Sequence, residues 1–596
     1  MKPNSFYSPP SVAVLLLVAV MIFAYAAMRA PDPLFHWLRI DQRGSPAATL
    51  QTAAVYQTQQ NITLRSLTSQ VVAVTWSTAS PMYASVEYKT TPFIGNTREG
   101  SFFPLTSMSP VNYTKVASTR NDLCLTDLTP STLYYVRVWN KDSQGVESVS
   151  PVFTVSTPSP PANAFTFSKQ WFGLQLAGEW RSLDSEKYDA WNKDYIRNIR
   201  VLEQWDELQP SPNQYIWSFQ KNGKGYGIDD QLAEILQRDA QQPKLGSSKF
   251  IRMVLQHGGS AYGPQVPTWA NEGVETLPNA KNPDDDKFLR WDPQYSCRLW
   301  QAIKTMGDRY DTNPKINTVS MPTNSRTGEM PASPSMIALW QQLNYSNNDI
   351  ARNLKWYYES NANVFSESFP QKRFEMNMGQ IQVPDPDNGG IDVSLSILDE
   401  LATLYPKRIT YGSTGAGGIR ATYINRYQNK TPVGIYTEIP DANSVTPDLD
   451  LQNFFTTYIW PIGDTGGMMG YVTIKDDGLG ISPTRGCGGP IGCWKDYQPL
   501  INVLNFAESK FLSYRGGPPP PPPPTLNYSL STSGGITVVQ GNSGLNTLTA
   551  TLSSGTSQSI SFSASGLPAG ASSSFSPTSC TPTCTSTLTI STTAST

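Results

Sequence analysis

Charge is scarce in this chain. Of its 596 residues, 15% are Asp, Glu, Lys or Arg, against roughly 25% in ordinary soluble domains. The charges nearly cancel: 45 Lys+Arg face 47 Asp+Glu, for a net −2. A nucleic-acid binder would show a basic excess, and this balance argues against one. Histidine is scarcer still, with only His36 and His257. No Cys/His cluster has zinc spacing, which argues against such a metal centre. A Walker loop, a dinucleotide fingerprint and a metal-ligand cluster are all missing, so no cofactor is expected. Ser, Thr, Asn and aromatic residues take the place of charge, as is common in exported proteins that meet polar, uncharged ligands.

One long apolar run is present. Residues 12–28, VAVLLLVAVMIFAYAAM, follow Lys2, and a run of about 17 residues lies between a signal-peptide core and a minimal membrane span. Ala24-Tyr25-Ala26 offers a small-x-small cleavage site. The segment reads as a cleaved signal or an uncleaved anchor, so residues 1–30 are set apart from the fold. The remainder is expected outside the cytoplasm, secreted or at the cell surface, with the anchor as its one route to a membrane. Six cysteines agree with export. Cys487 and Cys493, and Cys580 and Cys584 in CTPTC, are spaced to close short disulfides in an oxidising compartment. Cys124 and Cys297 are expected as buried thiols.

Three regions differ in grammar. Residues 50–157 alternate as β-strands: VVAVTWST (71–78), ASVEYKT (84–90) and STLYYVRVWN (131–140). LTDLTPSTLYYVRV resembles the E–F corner of a fibronectin type III domain, with Leu128, Pro130, Thr132 and Tyr134 as its tyrosine-corner segment and Trp76 as the core tryptophan of strand B. That resemblance implies a spacer or adhesion module. STPSPPANA (156–164) reads as a linker. At the other end, seven prolines at 518–524 make a stiff spacer within 516–525. Residues 526–596 resemble an immunoglobulin-like repeat of bacterial surface proteins, through a GLPAG turn and the SFSP strand after it. Such a domain would need a further closing strand, so it is expected to be incomplete.

Between these, residues 165–515 alternate short apolar runs with amphipathic stretches. The runs are WFGLQL (171–176), NIRVLE (198–203), FIRMVLQ (250–256), INTVSM (316–321), RFEMNMG (373–379), RITYGS (408–413), PVGIYTE (432–438) and MMGYVTI (468–474). Helical patterns lie between most of them, among them IDDQLAEILQRDAQ and the long MIALWQQLNYSNNDIARNLKWYYESN. Eight strands with interposed helices over about 350 residues predict a (β/α)8 TIM barrel. The fold class is therefore multidomain, a central barrel flanked by two β-sandwiches.

In such a barrel chemistry sits at the C-terminal strand ends. Strand four runs into SMPTNSRTGEM, with Asn324 and Glu329. Strand seven ends in Glu438. Two carboxylates facing each other across the mouth can act on one glycosidic bond, one protonating the leaving oxygen and the other attacking carbon or activating water. The region resembles the (β/α)8 glycoside hydrolases, and VLEQWDELQPSPNQYIWSF (201–219), VPTWA (266–270) and MGDRYDTNPKINTVSM (306–321) are similar to segments of family 42-type β-galactosidases. The resemblance implies Glu329 as acid/base and Glu438 as nucleophile. It departs from the family at Gly328, since most members have Asn directly before the acid/base glutamate; a Gly-Glu pair also occurs in inverting β-amylase-like barrels. Asn324 is left to hold the sugar 2-hydroxyl. His257, ending strand three, is a candidate hydrogen-bonding partner of sugar. Trp205, Trp269, Tyr411 and Trp460 are candidate stacking surfaces near strand ends. The expected function is an exported glycoside hydrolase with a carbohydrate substrate. The alternative is a non-catalytic surface protein that binds carbohydrate. A metallophosphatase lacks its metal-binding motif here.

Overall fold

A computed structural model of the chain describes residues 60–162, 165–176, 193–221, 224–241, 249–256, 266–277, 289, 291–321, 334–377, 381–414, 424–437, 444–474, 496–516, 527–554 and 559–594. The apolar segment 12–28 lies outside these residues; among the described ones, no helix is long and apolar enough to cross a membrane.

Seven antiparallel strands come first: β1 (Gln60–Ser66), β2 (Val72–Lys89), β3 (Ser101–Phe103), β4 (Ser118–Leu125), β5 (Leu133–Lys141), β6 (Glu147–Val149) and β7 (Phe153–Ser156). The long β2 serves two layers. Its first half pairs with β1 and β4, from Val72↔Leu125 to Ser77↔Arg120. Its second half pairs with β3 and β5, from Tyr83↔Lys141 to Lys89↔Tyr135. Pro81, which has no N–H to give a ladder, lies where the register slips between Ser77 and Met82. Val72, Val74, Leu123, Val136 and Val138 fill the space between the layers. Trp76 is buried with its indole N–H on Asn140 Oδ1 at 3.0 Å. The Tyr134 hydroxyl accepts the Thr129 amide at 2.8 Å.

Eight parallel strands then close a barrel in chain order: β8 (Leu174–Leu176), β9 (Ile196–Gln204), β10 (Phe250–Gln256), β11 (Ile316–Ser320), β12 (Arg373–Asn377), β13 (Ile409–Thr414), β14 (Val433–Thr437) and β15 (Met469–Ile474). Closure is made by β15 on β8, from Val472↔Leu174 to Ile474↔Leu176. All eight apolar runs are barrel strands. The helices around them include α1 (Ile228–Gln241), α2 (Pro293–Tyr310), α3 (Pro334–Gln342), α4 (Asn347–Ser368), α5 (Val393–Leu404), α6 (Pro447–Phe454), α7 (Trp460–Asp464) and α8 (Gln498–Tyr514). Their starts follow local chemistry: Asp292 caps α2 ahead of Pro293, and Ser346 with Asp349 forms a capping box on α4. The carboxy-terminal sheet has four antiparallel strands, β16 (Asn527–Thr532), β17 (Ser543–Ser554), β18 (Ala571–Ser576) and β19 (Cys584–Thr592), in the order β16-β17-β19-β18. Cys580 and Cys584 are joined there as a disulfide.

Two expectations are corrected. Cys124 and Cys297 are not thiols but a disulfide, with Cα atoms 5.1 Å apart, linking β4 to α2 across 173 residues of sequence. The amino-terminal sandwich is also no free spacer, because it is packed on α2 and α4. Arg298 and Asp122 meet there at 2.9 Å with both side chains fully enclosed. Trp356 donates to Thr126 Oγ1 at 3.0 Å and packs its ring on Phe103. Glu367 accepts from Ser69, and Asn363 from Thr68. These polar residues are paired across the junction, which the pattern of either segment alone does not display.

Candidate active site at the barrel mouth

The barrel interior is polar in its upper half. Arg252 on β10 reaches past β11 to Glu375 on β12, with Nη2 donating to Oε1 at 2.6 Å and Nε lying 2.5 Å from Oε2. Ser320 Oγ accepts from Arg252 Nε at 2.8 Å. Tyr471 on β15 donates its hydroxyl to the same Glu375 carboxylate from the far side of the barrel. Its ring passes directly over Gly434 on β14, where a Cβ would lie 2.5 Å from the ring. Glycine at 434 therefore makes room for a tyrosine to cross the barrel. Burial, and then the Glu375 charge, push the Tyr471 hydroxyl well above its ordinary range, so it is a donor at neutral pH. Below, Arg373 donates to Thr318 Oγ1 from Nε at 3.2 Å and Nη2 at 3.0 Å, with its guanidinium over the Trp171 ring. Burial pulls Arg373 down to about 10 against the opposing pull of Glu375 and Tyr471, and it stays cationic at neutral pH. A carboxylate, two guanidinia and a phenol thus form a floor at the level of Ser320 and Thr410, the register partners of Glu375.

One wall of the mouth follows β9 and β10. Trp205, next after Gln204, is fully buried and donates to Gln209 Oε1 at 2.9 Å. It meets Trp269 edge to face at 6.0 Å and Tyr295 at 5.7 Å. Trp269 is half-buried and donates to the Gln209 carbonyl at 3.1 Å. The turn carrying Trp269 is gripped by Arg298, whose Nη1 donates to the carbonyls of Ala270 at 3.1 Å and Glu272 at 2.6 Å. Glu272 in turn accepts from Ser118 and Thr119 of the sandwich. Gly273, at φ +69, lies where any Cβ would strike Ser118. The sandwich therefore fixes the rim of the barrel at this point.

Of the sequence-derived site residues, Glu329, Glu438, His257 and Asn324 lie outside the described residues, as do Cys487 and Cys493. Trp205 and Trp269 lie together in the wall, but Trp205 is fully buried between Trp269 and Tyr295 and has no open face to stack on a ligand, which corrects its expected role; Trp269 is partly open. Tyr411 and Trp460 are elsewhere. Tyr411 turns out of the barrel, giving its hydroxyl to the Leu398 carbonyl on α5 and its ring edge-on to Tyr427. Trp460 opens α7 and stacks on Phe455 at 4.8 Å, against Phe511 and Tyr514 of α8. Both serve packing between helices and strands. Arg252, Glu375 and Tyr471 were not singled out from sequence, although charged residues inside otherwise apolar strand runs were the available signal. Among the described residues, no three His, Cys, Asp or Glu side chains converge as a metal site would require.

No protein-family model matches the sequence, and no curated protein does. Solved structures similar to the chain include a family 39 glycoside hydrolase from the gut symbiont Bacteroides cellulosilyticus WH2, at 10% identity and a TM-score of 0.32, covering 89% of this chain and 100% of that one. A calcium-binding mutant of Bacteroides uniformis beta-glucuronidase 2 matches at 10% identity and a TM-score of 0.33, over 89% of this chain and 57% of that one. The fibronectin type-III domain of human fibronectin type III domain containing protein 3 matches 17% of this chain and 87% of its own, at 17% identity and a TM-score of 0.13.

Proposed function

We propose that this chain is an exported glycoside hydrolase that cleaves an oligo- or polysaccharide with two carboxylates. Glu329 acts as acid/base. Glu438 acts as nucleophile or, if the enzyme inverts, as the base that activates water. The observation that carries this reading is the closed ring of eight parallel strands, whose fourth strand ends at Ser320 and whose seventh ends at Thr437. Glu438 is the next residue after that seventh strand, and Glu329 follows the fourth within one loop of sequence. Parallel barrels carry their chemistry on that rim.

The floor supports the assignment. Arg252 and Arg373 outnumber Glu375, and surplus positive charge beneath a mouth favours ionised carboxylates above it, which a nucleophile or base requires. Trp269, half-buried with the Arg120 guanidinium 5.3 Å from its ring centroid, keeps part of its ring open as an aromatic contact for a sugar. The disulfides Cys124–Cys297 and Cys580–Cys584 suit export to an oxidising compartment. In this reading residues 50–157 are a fibronectin type III-like module and residues 526–596 an immunoglobulin-like one, either side of the catalytic region 165–515.

The test is hydrolysis of a panel of aryl glycosides and polysaccharides by the whole chain, with Glu329→Gln and Glu438→Gln beside it. Each substitution should lower kcat by a factor of at least about 100, in line with the loss of a general acid or nucleophile. The anomer released first, read by NMR, separates retention from inversion. An active wild type whose two variants keep full activity would overturn the assignment.

A further inference from the structure

A cleft of about 540 Å³ opens between the sandwich and the barrel, inside the roughly 300–1,000 Å³ typical of small-molecule sites. The sandwich gives it Tyr83, Tyr113, Lys115 and Lys141; the barrel side gives Glu275, Gln342 and Asn344. Lys115 is fully engaged. It lies 3.4 Å from Glu275, donates to the Leu343 carbonyl at 3.3 Å and sits 3.5 Å above the Tyr345 ring. Lys141 is different. Its ammonium lies 4.4 Å from the Tyr113 ring centroid and 5.8 Å from that of Tyr83; among the described residues no acidic group is within ion-pair distance, and Glu147, its neighbour across the strand ladder, is held by Arg98 at 3.0 Å. The Tyr83 hydroxyl and the side-chain amides of Gln342 and Asn344 likewise have no hydrogen-bond partner among the described residues. Two lysines against one glutamate leave the cleft positive. Its open groups are a half-buried aromatic ring, a cation, a hydroxyl and two amides, rimmed by the exposed Val111.

We propose that this cleft is a second saccharide site, separate from the barrel mouth, which takes a sugar unit bearing a carboxylate. The ring of such a unit lies on Tyr83, its hydroxyls bond Gln342 and Asn344, and its carboxylate pairs with Lys141. Aromatic faces and amides suit a pyranose, and the uncompensated lysine selects the acidic one. The choice of a saccharide over another anion rests on the carbohydrate reading above. The position of the cleft at the junction would let the sandwich hold a polymer while the barrel works on it.

The test is calorimetric titration of the whole chain, carrying Glu329→Gln and Glu438→Gln to suppress turnover, with tri-galacturonate, its methyl ester and cellotriose. The proposal expects saturable binding of tri-galacturonate, weakened about tenfold or more by Lys141→Gln, which removes one charged hydrogen bond. Asn344→Asp should weaken it at least as much, since it sets a like charge in the cleft; Asp tolerates the left-handed backbone found there (φ 64). The methyl ester should be insensitive to Lys141→Gln. A thermal melt confirms that each variant is folded. Equal tri-galacturonate affinity in all variants, or no binding to the parent chain, would overturn the proposal. Binding that behaves as expected in a chain that hydrolyses no glycoside supports the cleft and removes only the enzymatic reading.

Discussion

Asp292 caps α2 from an enclosed position behind the barrel rim. Oδ1 accepts the amides of Gln294 at 2.9 Å and Tyr295 at 3.3 Å, while Oδ2 accepts the amide of Glu275 at 3.0 Å. Burial nevertheless raises this carboxyl from 3.8 to about 6, against the pull of its three amide donors and with some help from the Glu275 charge. The sign of the resulting pH dependence follows. Between those two values the folded chain holds a proton that the unfolded chain has released. Stability at this site is therefore greatest in acid and falls as pH rises through the window, levelling off above about 6. A shift of this size corresponds to roughly 3 kcal/mol, at about 1.4 kcal/mol per unit. Asp292→Asn should abolish that contribution. Denaturant titrations of both proteins from pH 4 to 7 should show the difference in stability changing in favour of the variant as pH rises. The slope is the readout rather than the absolute value, because the amide cannot accept the Glu275 N–H and gains a penalty at every pH. Parallel curves would refute the role of Asp292.

At the scale of elements, the barrel was legible because each strand is a short apolar run bounded by a helical pattern, and both signals are local. Facing was harder. In RITYGS the apolar Ile409 and Tyr411 share one side and Thr410 and Gly412 the other. The polar, small side faces inward in this barrel: Thr410 meets Gly470, where a Cβ would come within 2.6 Å of it. Tyr411 therefore belongs to the helix layer, and a position near a strand end did not by itself identify a mouth residue. The long helical stretch from Met336 to Asn361 is likewise two helices. The chain turns at Asn344 with φ 64, and Ser346 restarts it with Oγ accepting the Asp349 amide while the Asp349 carboxylate accepts the Ser346 amide. The capping box S-N-N-D was readable, but a continuous apolar period outweighed it. Ser346→Ala removes one of these two bonds and should lower stability by about 1 kcal/mol, measured as a shift of the denaturant midpoint; no shift would mean that tertiary packing alone starts α4.

For the whole molecule, the decisive fact is that the sandwich and the barrel share buried chemistry. Nothing in either segment announces this, because the partners are separated by 173 residues at the disulfide and each residue is unexceptional alone. An enclosed ion pair such as Arg298–Asp122 is costly to break, since the surviving charge stays buried, Asp122 keeping only Arg120 and Arg298 keeping only neutral acceptors such as the Ala270 and Glu272 carbonyls. The disulfide beside it shortens the unfolded chain's freedom over a long loop, worth about 2–4 kcal/mol in comparable cases. Both cysteines are buried, so reductant reaches them only when the junction opens. The two bodies should then melt together while the link is intact. We expect a single thermal transition for the oxidised chain over the sandwich and barrel. In Cys124→Ala/Cys297→Ala we expect a midpoint several degrees lower. Because Arg298 grips the Trp269 turn from the same helix, the loosened junction should also show in that turn. Tryptophan emission should shift red before the main transition in the variant, and a Trp269→Phe background should lose that early change. Two separate transitions in the oxidised protein would instead mean that the sandwich is carried by the barrel without sharing its stability, and the rim at Trp269 would then owe its shape to the barrel alone.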